Sequence, residues 1–482
     1  MKRDMKSMLC AMTFAAISAA LAAGLEEMSV SVDPGVEFGP IRDMHAVNNG
    51  PSVKKLAKDD QMRGNFDEYR ALRIPFARTH DSINCVDGGA HTVDITAVFP
   101  NFDADENDPG NYDFVFTDAY LDTIRAAGAE VFFRLGQTIE HGPKKYGVYP
   151  PKDFAKWARI CEHVIRHYNE GWGWEKPEAY KDQFKIRYWE IWNEPDLGWR
   201  QWKTNPRTWA GTGRQFDEFF AVAAKHLKGK FPHLKIGGPA LCGNEEWGER
   251  FLASCQTNGV PLDFFSWHIY STEPAKIAEK GVRIRKLMDR YGYGKSASIL
   301  NEWNYIKGWT GDFAYSIDAI CGAGNMKGAA FVASVMSACQ DAPIDLLMYY
   351  DARTFTVFNG LFDRVALRPL KAYYAIYAWS RLKDYGVQVK TEVSGRSPAD
   401  LYATAARGKD GKVALFLSRY SPDGNMTSDV VARVSVSGRS LGACRAHITD
   451  ADRSFTEIPL LPDESGALTV KMQPSSFAMI EF

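Results

Sequence analysis

Two glutamates occupy positions where a carboxylate needs a reason to be. Glu194 lies in "RYWEIWNEPDLGW", which starts at Arg187, where a run of bulky apolar residues ends in Asn193-Glu194-Pro195. Glu302 lies in "ASILNEWNY", again directly after apolar residues and an asparagine. A carboxylate that closes an apolar strand is costly to bury unless it is paired or put to use. Two of them brought face to face have the chemistry to cleave a glycosidic bond. One protonates the leaving oxygen, and the other attacks the anomeric carbon or activates a water. Asn193 can donate a hydrogen bond to the 2-hydroxyl of a bound sugar, a contact that tightens in an oxocarbenium-like transition state. Pro195 ends the strand and fixes the turn. A single strand-end glutamate would read as the partner of a lysine; the second one changes the reading.

For the two to meet, the chain must close on itself. From about residue 40 it alternates short apolar runs with longer helical patterns. The apolar runs are residues 42–50, 74–81, 129–137, 186–194, 234–241, 264–270, 297–305 and 344–352. They are nearly continuous rather than alternating, which suits parallel strands buried on both faces. Helical patterns lie between most of them, such as "PKDFAKWARICEHVIRHY", which puts Pro151 in a first-turn position. Eight strand-then-helix units predict an α/β fold, a (β/α)8 TIM barrel. Chemistry in such a barrel sits at the C-terminal strand ends. Strands four and seven lie on opposite sides, so Glu194 and Glu302 are expected to face each other across the mouth. After about Tyr385 short alternating runs separated by Gly, Asp, Ser and Pro predict a C-terminal antiparallel β-sandwich. The expected division is a leader at 1–23, the barrel at 24–385 and the sandwich at 386–482.

The same reasoning gathers other side chains at the mouth. His80 and Asp81 end the second strand, as substrate contacts or as a structural ion pair. Arg78 points the same way and can hold Glu302 ionised through its positive charge. His268 and Tyr270 end the sixth strand, next to the seventh. Tyr350 and Asp351 end the eighth. Trp192, Trp303 and Trp309 are candidates for stacking on a sugar, with Trp192 better suited to the core.

Bulk properties narrow the partners. The formal net charge of −1 favours neither nucleic acid nor an acidic membrane surface. Aromatic residues make up 13% of the chain, as suits either a large aromatic core or sugar stacking. Lys2, Arg3 and Lys6, the apolar stretch from Met8 to Ala19 and Ala20-Leu21-Ala22 have the layout of a cleavable secretory signal, with cleavage after Ala22 or Ala23. Secretion or a periplasmic location follows. Seven cysteines beyond that leader are scattered and form no CxxC, so neither a disulfide framework nor a zinc site is implied. The Asp-rich loop 101–111 has the wrong spacing for an EF-hand and reads as solvated.

"WEIWNEPDL" and "ILNEWN" resemble the two signatures of glycoside hydrolase family 39, in the large clan of retaining (β/α)8 glycosidases that includes β-xylosidases and α-L-iduronidases. The resemblance extends to "HAVNNGP", "RTHD" and "NYDFVFTDAYLDTIRAAGAEVFFRLG", and so covers roughly residues 30 to 385. It implies Glu194 as acid/base and Glu302 as nucleophile, with a His80-Asp81 pair reaching sugar hydroxyls and Tyr270 or His268 bonded to the nucleophile. Two places depart from the xylosidase-like pattern: Arg134 in "FFRLGQTIEH" and the eighth strand end "YYDARTFTVFNG".

The resulting expectation is an exported, retaining exo-glycosidase acting on plant or algal polysaccharide fragments, with no cofactor or metal and with oligomeric state open. A β-xyloside leads on family prevalence. A uronic-acid substrate, with Arg353, Lys307 or Arg134 as its cation, and an arabinose-containing one are the alternatives. A non-catalytic sugar-binding protein is the alternative from another class, and both carboxylates being intact argues against it. The sandwich is expected to support the barrel, a sugar-binding role of its own being the other option.

Overall fold

The computed structural model describes residues 25–55, 62–81, 91–180, 183–317, 325–354, 358–423 and 426–482. The leader expected at 1–23 lies outside these residues. The described chain begins with a long strand, β1 (Glu26–Pro40), followed by the first barrel strand, β2 (Asp43–Asn48), and a small hairpin, β3 (Val53–Lys55) and β4 (Met62–Gly64). The remaining barrel strands are β5 (Phe76–Arg78), β6 (Glu130–Leu135), β7 (Tyr188–Ile191), β8 (Lys235–Leu241), β9 (Phe264–Tyr270), β10 (Ala297–Asn304) and β11 (Leu346–Tyr349). They close in the order β2-β5-β6-β7-β8-β9-β10-β11, with β11 pairing back onto β2. Each falls inside one of the eight apolar runs.

Most helices cover the barrel's outer surface with one apolar face, whereas Met326–Gln340 is buried on nearly all sides. The helix Phe154–Glu170 buries Trp157, Ile160, Cys161, Val164 and Ile165. Its first turn is capped by Asp153, whose side chain accepts from the Lys156 amide, so Pro151 sits ahead of the helix rather than in its first turn. Gly171, at φ 79°, ends it in the left-handed conformation that suits glycine.

Inside the barrel the lower end is plugged by Ala46, Phe76, Phe132, Phe264, Ile299, Leu346 and Met348. Above this apolar plug the inward positions turn polar, and that change of layer marks the C-terminal face.

Eight further strands follow: β12 (Val387–Gly395), β13 (Leu401–Arg407), β14 (Val413–Arg419), β15 (Val430–Val436), β16 (Cys444–Thr449), β17 (Thr456–Leu460), β18 (Leu468–Met472) and β19 (Ser476–Glu481). With β1 they make a nine-stranded sheet in the order β17-β16-β19-β14-β13-β12-β1-β15-β18. It is antiparallel throughout except where β1 runs parallel to β15. The N-terminal strand therefore belongs to the C-terminal sheet, which corrects the expected assignment of residues 24–385 to the barrel at its start. The physical reason is in the strand itself: Met28, Val30 and Val32 alternate into the second core and are fully buried there. The opposite face of the sheet rests on the barrel. Phe416, Phe477 and Met479 join the main core, and Ser418 donates to the Ala330 carbonyl at 3.0 Å.

Candidate active site

The polar layer above the plug is organised by Arg78, whose side chain is fully buried. Its Nε donates to Glu190 Oε2 at 2.7 Å, Nη1 to Glu302 Oε1 at 2.8 Å and to Asn48 Oδ1 at 3.1 Å, and Nη2 to Asn193 Oδ1 at 2.7 Å. Glu190 is completed by Ser266 Oγ at 2.5 Å and Asn301 Nδ2 at 2.6 Å. A buried guanidinium is tolerable only with this degree of pairing. Here it ties four strands to one point beneath the mouth.

On that base stand Glu194 and Glu302, each only 4% exposed. Glu302 Oε2 accepts from the Tyr270 hydroxyl at 2.9 Å. Glu194 Oε1 is hydrogen-bonded to His268 Nδ1 at 2.7 Å, and the same nitrogen lies 3.5 Å from Glu302 Oε2. One oxygen of each carboxylate and the imidazole nitrogen lie within 4.8 Å of one another. Among the described residues this is the one trio whose donor atoms converge closely enough for a cation. Arg78, Tyr270 and His268 already meet those oxygens, so the arrangement reads as a hydrogen-bonded acid pair.

The two carboxyls differ in electrostatics. Burial, reinforced by the neighbouring Asp196 charge, pushes Glu194 up to about 7. Burial also raises Glu302, and Glu194 adds to this, but His268, Arg78 and the Tyr270 hydrogen bond pull the other way. Two carboxyls this close bind one proton more readily than none. Of these two carboxyls only Glu302 is bonded to Arg78, which favours the proton on Glu194. Burial lowers His268 to about 4 and His80 to about 3. The Tyr270 hydroxyl is pushed well above its usual range by burial and stays a donor.

The other expected site residues divide. Asn193 is fully buried, and its Nδ2 has no partner among the described residues, so it remains free to donate. His80 Nε2 lies 3.4 Å from Glu302 Oε1 and its Nδ1 3.1 Å from Asp81 Oδ1. Despite burial, His80, Arg353 and His91 hold the Asp81 carboxyl well below its ordinary value. Asp351 is fully buried and taken up by Asn49 at 3.1 Å and Arg353 at 2.7 Å, so it bears on the mouth through Arg353 rather than by contact with a ligand. Trp303 overturns the expectation of a stacking residue. It is fully buried against Tyr349 and Phe331 in the helical layer, because the register slips between Leu300 and Glu302 and turns its side chain outward. Trp192 is core, as expected. Trp309 is 68% exposed, with its ring 5.6 Å from that of Tyr270.

Of the cations considered for a uronate, Arg134 is paired with Asp94 at 2.7 Å, and Arg353 reaches Asp81 at 3.0 Å and Asp351 at 2.6 Å. Lys307 lies over the Tyr315 ring. Glu190, in the Arg78 cluster, escaped the sequence reading, as did Asp196, which accepts from the Cys242, Gly243 and Asn244 amides. For Glu190 the signal was a lone acid in the middle of the apolar run "RYWEIW".

Residues 28–292 match the family Glycosyl hydrolases family 39. That stretch contains Glu194 and ends before Glu302, whose assignment rests on the geometry above. A Beta-xylosidase of Geobacillus stearothermophilus is 32% identical over 174 residues, 34% of this chain and 31% of the relative. A Beta-xylosidase of Caldicellulosiruptor saccharolyticus is 30% identical over 259 residues, 52% of this chain and 47% of the relative. The matches thus span about half the length of these curated relatives or less. Among solved structures, a glucosidase from Croceicoccus marinus superposes with a TM-score of 0.72 at 22% identity, covering 95% of this chain and 98% of the other. The GH39 enzyme from Xanthomonas axonopodis pv. citri does so with 0.62 at 16% identity, covering 94% and 96%. These two likenesses concern the fold.

Proposed function

The chain belongs to glycosyl hydrolases family 39, and from that premise we propose that it is a retaining exo-glycosidase with a β-xyloside-like substrate. The observation that carries the reading is the facing of Glu194 and Glu302 across the barrel mouth, with ligating oxygens no more than 4.8 Å apart. Retaining enzymes hold their carboxyls about 5–5.5 Å apart, and inverting ones leave about 6.5–9.5 Å for a water.

In the first step a Glu302 oxygen attacks the anomeric carbon while Glu194 gives its proton to the departing glycosidic oxygen. The carbon–oxygen bond to the leaving group breaks as the bond to Glu302 forms. In the second step a water passes its proton to Glu194 and attacks the same carbon, which releases Glu302. Tyr270 and Arg78 hold the attacking carboxylate in place, and Asn193 is left to meet a sugar hydroxyl.

The pentoside assignment is supported by the two relatives named as Beta-xylosidases. Export through the leader at 1–23 and a cofactor-free mechanism complete the proposal. Among the described residues no helix is long and apolar enough to cross a membrane. The test is a panel of aryl glycosides, with xyloside, arabinoside, galactoside and iduronide among them, followed by NMR of the first-formed sugar anomer. Xyloside cleavage with retained configuration is the expected result. An inverted product rejects the double displacement, and preference for another sugar rejects the substrate.

A further inference from the structure

The two loops that follow β6 and β7 carry charge of one sign. Residues 136–152 hold Lys144, Lys145 and Lys152 against a single acid, Glu140, and residues 197–209 hold Arg200, Lys203 and Arg207 with no acid, in a chain whose formal net charge is −1. The one acid is already used. Glu140 Oε2 accepts from the Tyr146 amide at 2.7 Å and Oε1 from the Gly147 amide at 2.6 Å. The loops are joined at the Glu140 backbone: its amide donates to the Arg207 carbonyl at 2.9 Å, and Lys145 Nζ donates to its carbonyl at 2.5 Å. Arg207 is half-buried. Its Nη2 donates to His141 Nδ1 at 2.9 Å, and its Nε is buried without a partner among the described residues. A guanidinium can only donate, so His141 Nδ1 accepts and the ring proton sits on Nε2. Among the described residues neither Arg207 nor Lys145 is ion-paired with a carboxylate.

The place of this cluster is set by the acid/base. Thr208, next in the chain to Arg207, donates from Oγ1 to the Glu194 carbonyl at 2.5 Å. The loop therefore sits beside the group that hands its proton to the departing oxygen. We propose that Arg207 and Lys145, with the His141 ring beside Arg207, form a carboxylate-binding subsite on the leaving-group side of the mouth, and that the aglycone it selects is an acidic sugar, a uronate. The inference rests on the proposed function and on the acid/base reading of Glu194, and it adds a specificity that the pentose itself does not set. Every polar group these three side chains have left over is a donor, and a carboxylate is purely an acceptor. The planar fork of Arg207 suits two carboxylate oxygens, and Lys145 adds a point charge. A rim lined by one sign of charge also concentrates ligands of the other sign. Asp81, the other acid at the mouth, does not compete, because His80 at 3.1 Å, His91 at 3.1 Å and Arg353 at 3.0 Å already surround it.

The experiment compares the β-xylosides of meta- and para-carboxybenzyl alcohol with their carboxamides, using the full chain. The methylene keeps the leaving oxygens electronically alike, so the acid-to-amide ratio of kcat/KM reads the subsite, and any effect on Glu194 common to both cancels. In the wild type the ratio is about 10 for at least one isomer, the worth of one charge-assisted hydrogen bond at a half-buried site. Arg207→Gln brings it to about one, Lys145→Gln lowers it part of the way, and Arg207→Lys, which keeps the charge without the fork, falls between. Added salt lowers the wild-type ratio and leaves that of the double variant, Arg207→Gln with Lys145→Gln, unmoved. A wild-type ratio of about one with both isomers, or a ratio that survives Arg207→Gln, overturns the proposal. Should Arg207→Gln fail to fold, as its melting curve would report, the wild-type ratio, its salt dependence and Lys145→Gln decide. Calorimetric titration of the same xylosides into Glu302→Ala reads the ratio of Kd values without turnover. Cleavage with no preference for the acid rejects this inference only. A preference in Kd from a protein that cleaves no glycoside rejects the function and leaves the subsite standing.

Discussion

Arg78→Met should disable the nucleophile and unsettle the fold by the same act. Arg78 faces Glu190 at 2.7 Å and Glu302 at 2.8 Å, with the three side chains 0%, 0% and 5% exposed. Removing the cation from such a buried arrangement leaves uncompensated charge and costs about 3–5 kcal/mol. Shared between the two glutamates, that is about 2 kcal/mol at Glu302, or about 1.5 pH units in its titration. The direction is upward, because the ionised form loses its partner. The acidic limb of kcat/KM should therefore move up by that amount. A dinitrophenyl glycoside is the right substrate, since its leaving group departs without protonation and hides the Glu194 limb. Stability supplies an independent reading. A carboxyl whose folded-state value is raised binds more protons folded than unfolded, so its contribution falls as pH rises. The loss of Tm in Arg78→Met should then be larger at pH 7 than at pH 4. Arg78→Lys keeps the charge without the fork and should fall between. An acidic limb that stays put, with a Tm loss equal at both pH values, would refute the electrostatic role and leave Arg78 as scaffold.

Other outcomes follow from the two carboxylates. Glu302→Ala should lose every substrate whatever its leaving group, as measured by initial rates across the aryl panel. Glu194→Ala should keep the first step on a dinitrophenyl glycoside and lose roughly 10²–10⁴-fold in the second, visible as a burst followed by slow turnover. Azide should restore that turnover and yield a glycosyl azide of retained configuration; azide rescue of Glu302→Ala with retention would exchange the two roles. With Glu194 at about 7, kcat/KM for a poor leaving group should be bell-shaped and fall off as pH rises through about 7. Tyr270→Phe removes a hydrogen bond to a charged group, so kcat/KM should drop about 10- to 100-fold and the acidic limb should rise.

The eight barrel strands were legible because parallel strands buried on both faces leave unbroken apolar runs. β1 went unread although Met28, Val30 and Val32 alternate cleanly. Its partners, β12 and β15, lie at the far end of the chain, and local pattern does not name a distant partner. The site was half legible. Strand-end position located Glu194, Glu302, Arg78, His268 and Tyr270, which the fold brings together. It failed at Trp303, where a slip of one residue exchanges inside and outside. It also passed over Asp196, whose bonds are to the backbone amides of Cys242, Gly243 and Asn244, contacts that no residue pattern announces.

The ends of β7 and β10 face the same geometric obstacle and meet it differently. In a regular strand successive side chains point to opposite faces, so only one of Asn193 and Glu194, or of Asn301 and Glu302, would enter the mouth. In β10 the register slip between Leu300 and Glu302 lets Asn301 reach Glu190 while Glu302 reaches Arg78. After β7 the chain adopts left-handed conformations at Trp192, φ 74°, and Glu194, φ 48°, so that Asn193 and Glu194 both turn inward. Such conformations cost about 1–3 kcal/mol each and persist only where the surroundings fix them. The surroundings are specific. Trp192 is locked among Trp157, Trp209 and Phe219 and donates from Nε1 to the Thr208 carbonyl at 3.1 Å, while Glu194 donates its own amide to Ala240 at 3.0 Å. An apolar strand ending in Asn-Glu-Pro is thus a strand made to stop short of alternation, with tryptophan packing as the anchor that holds an acid where alternation would not place it.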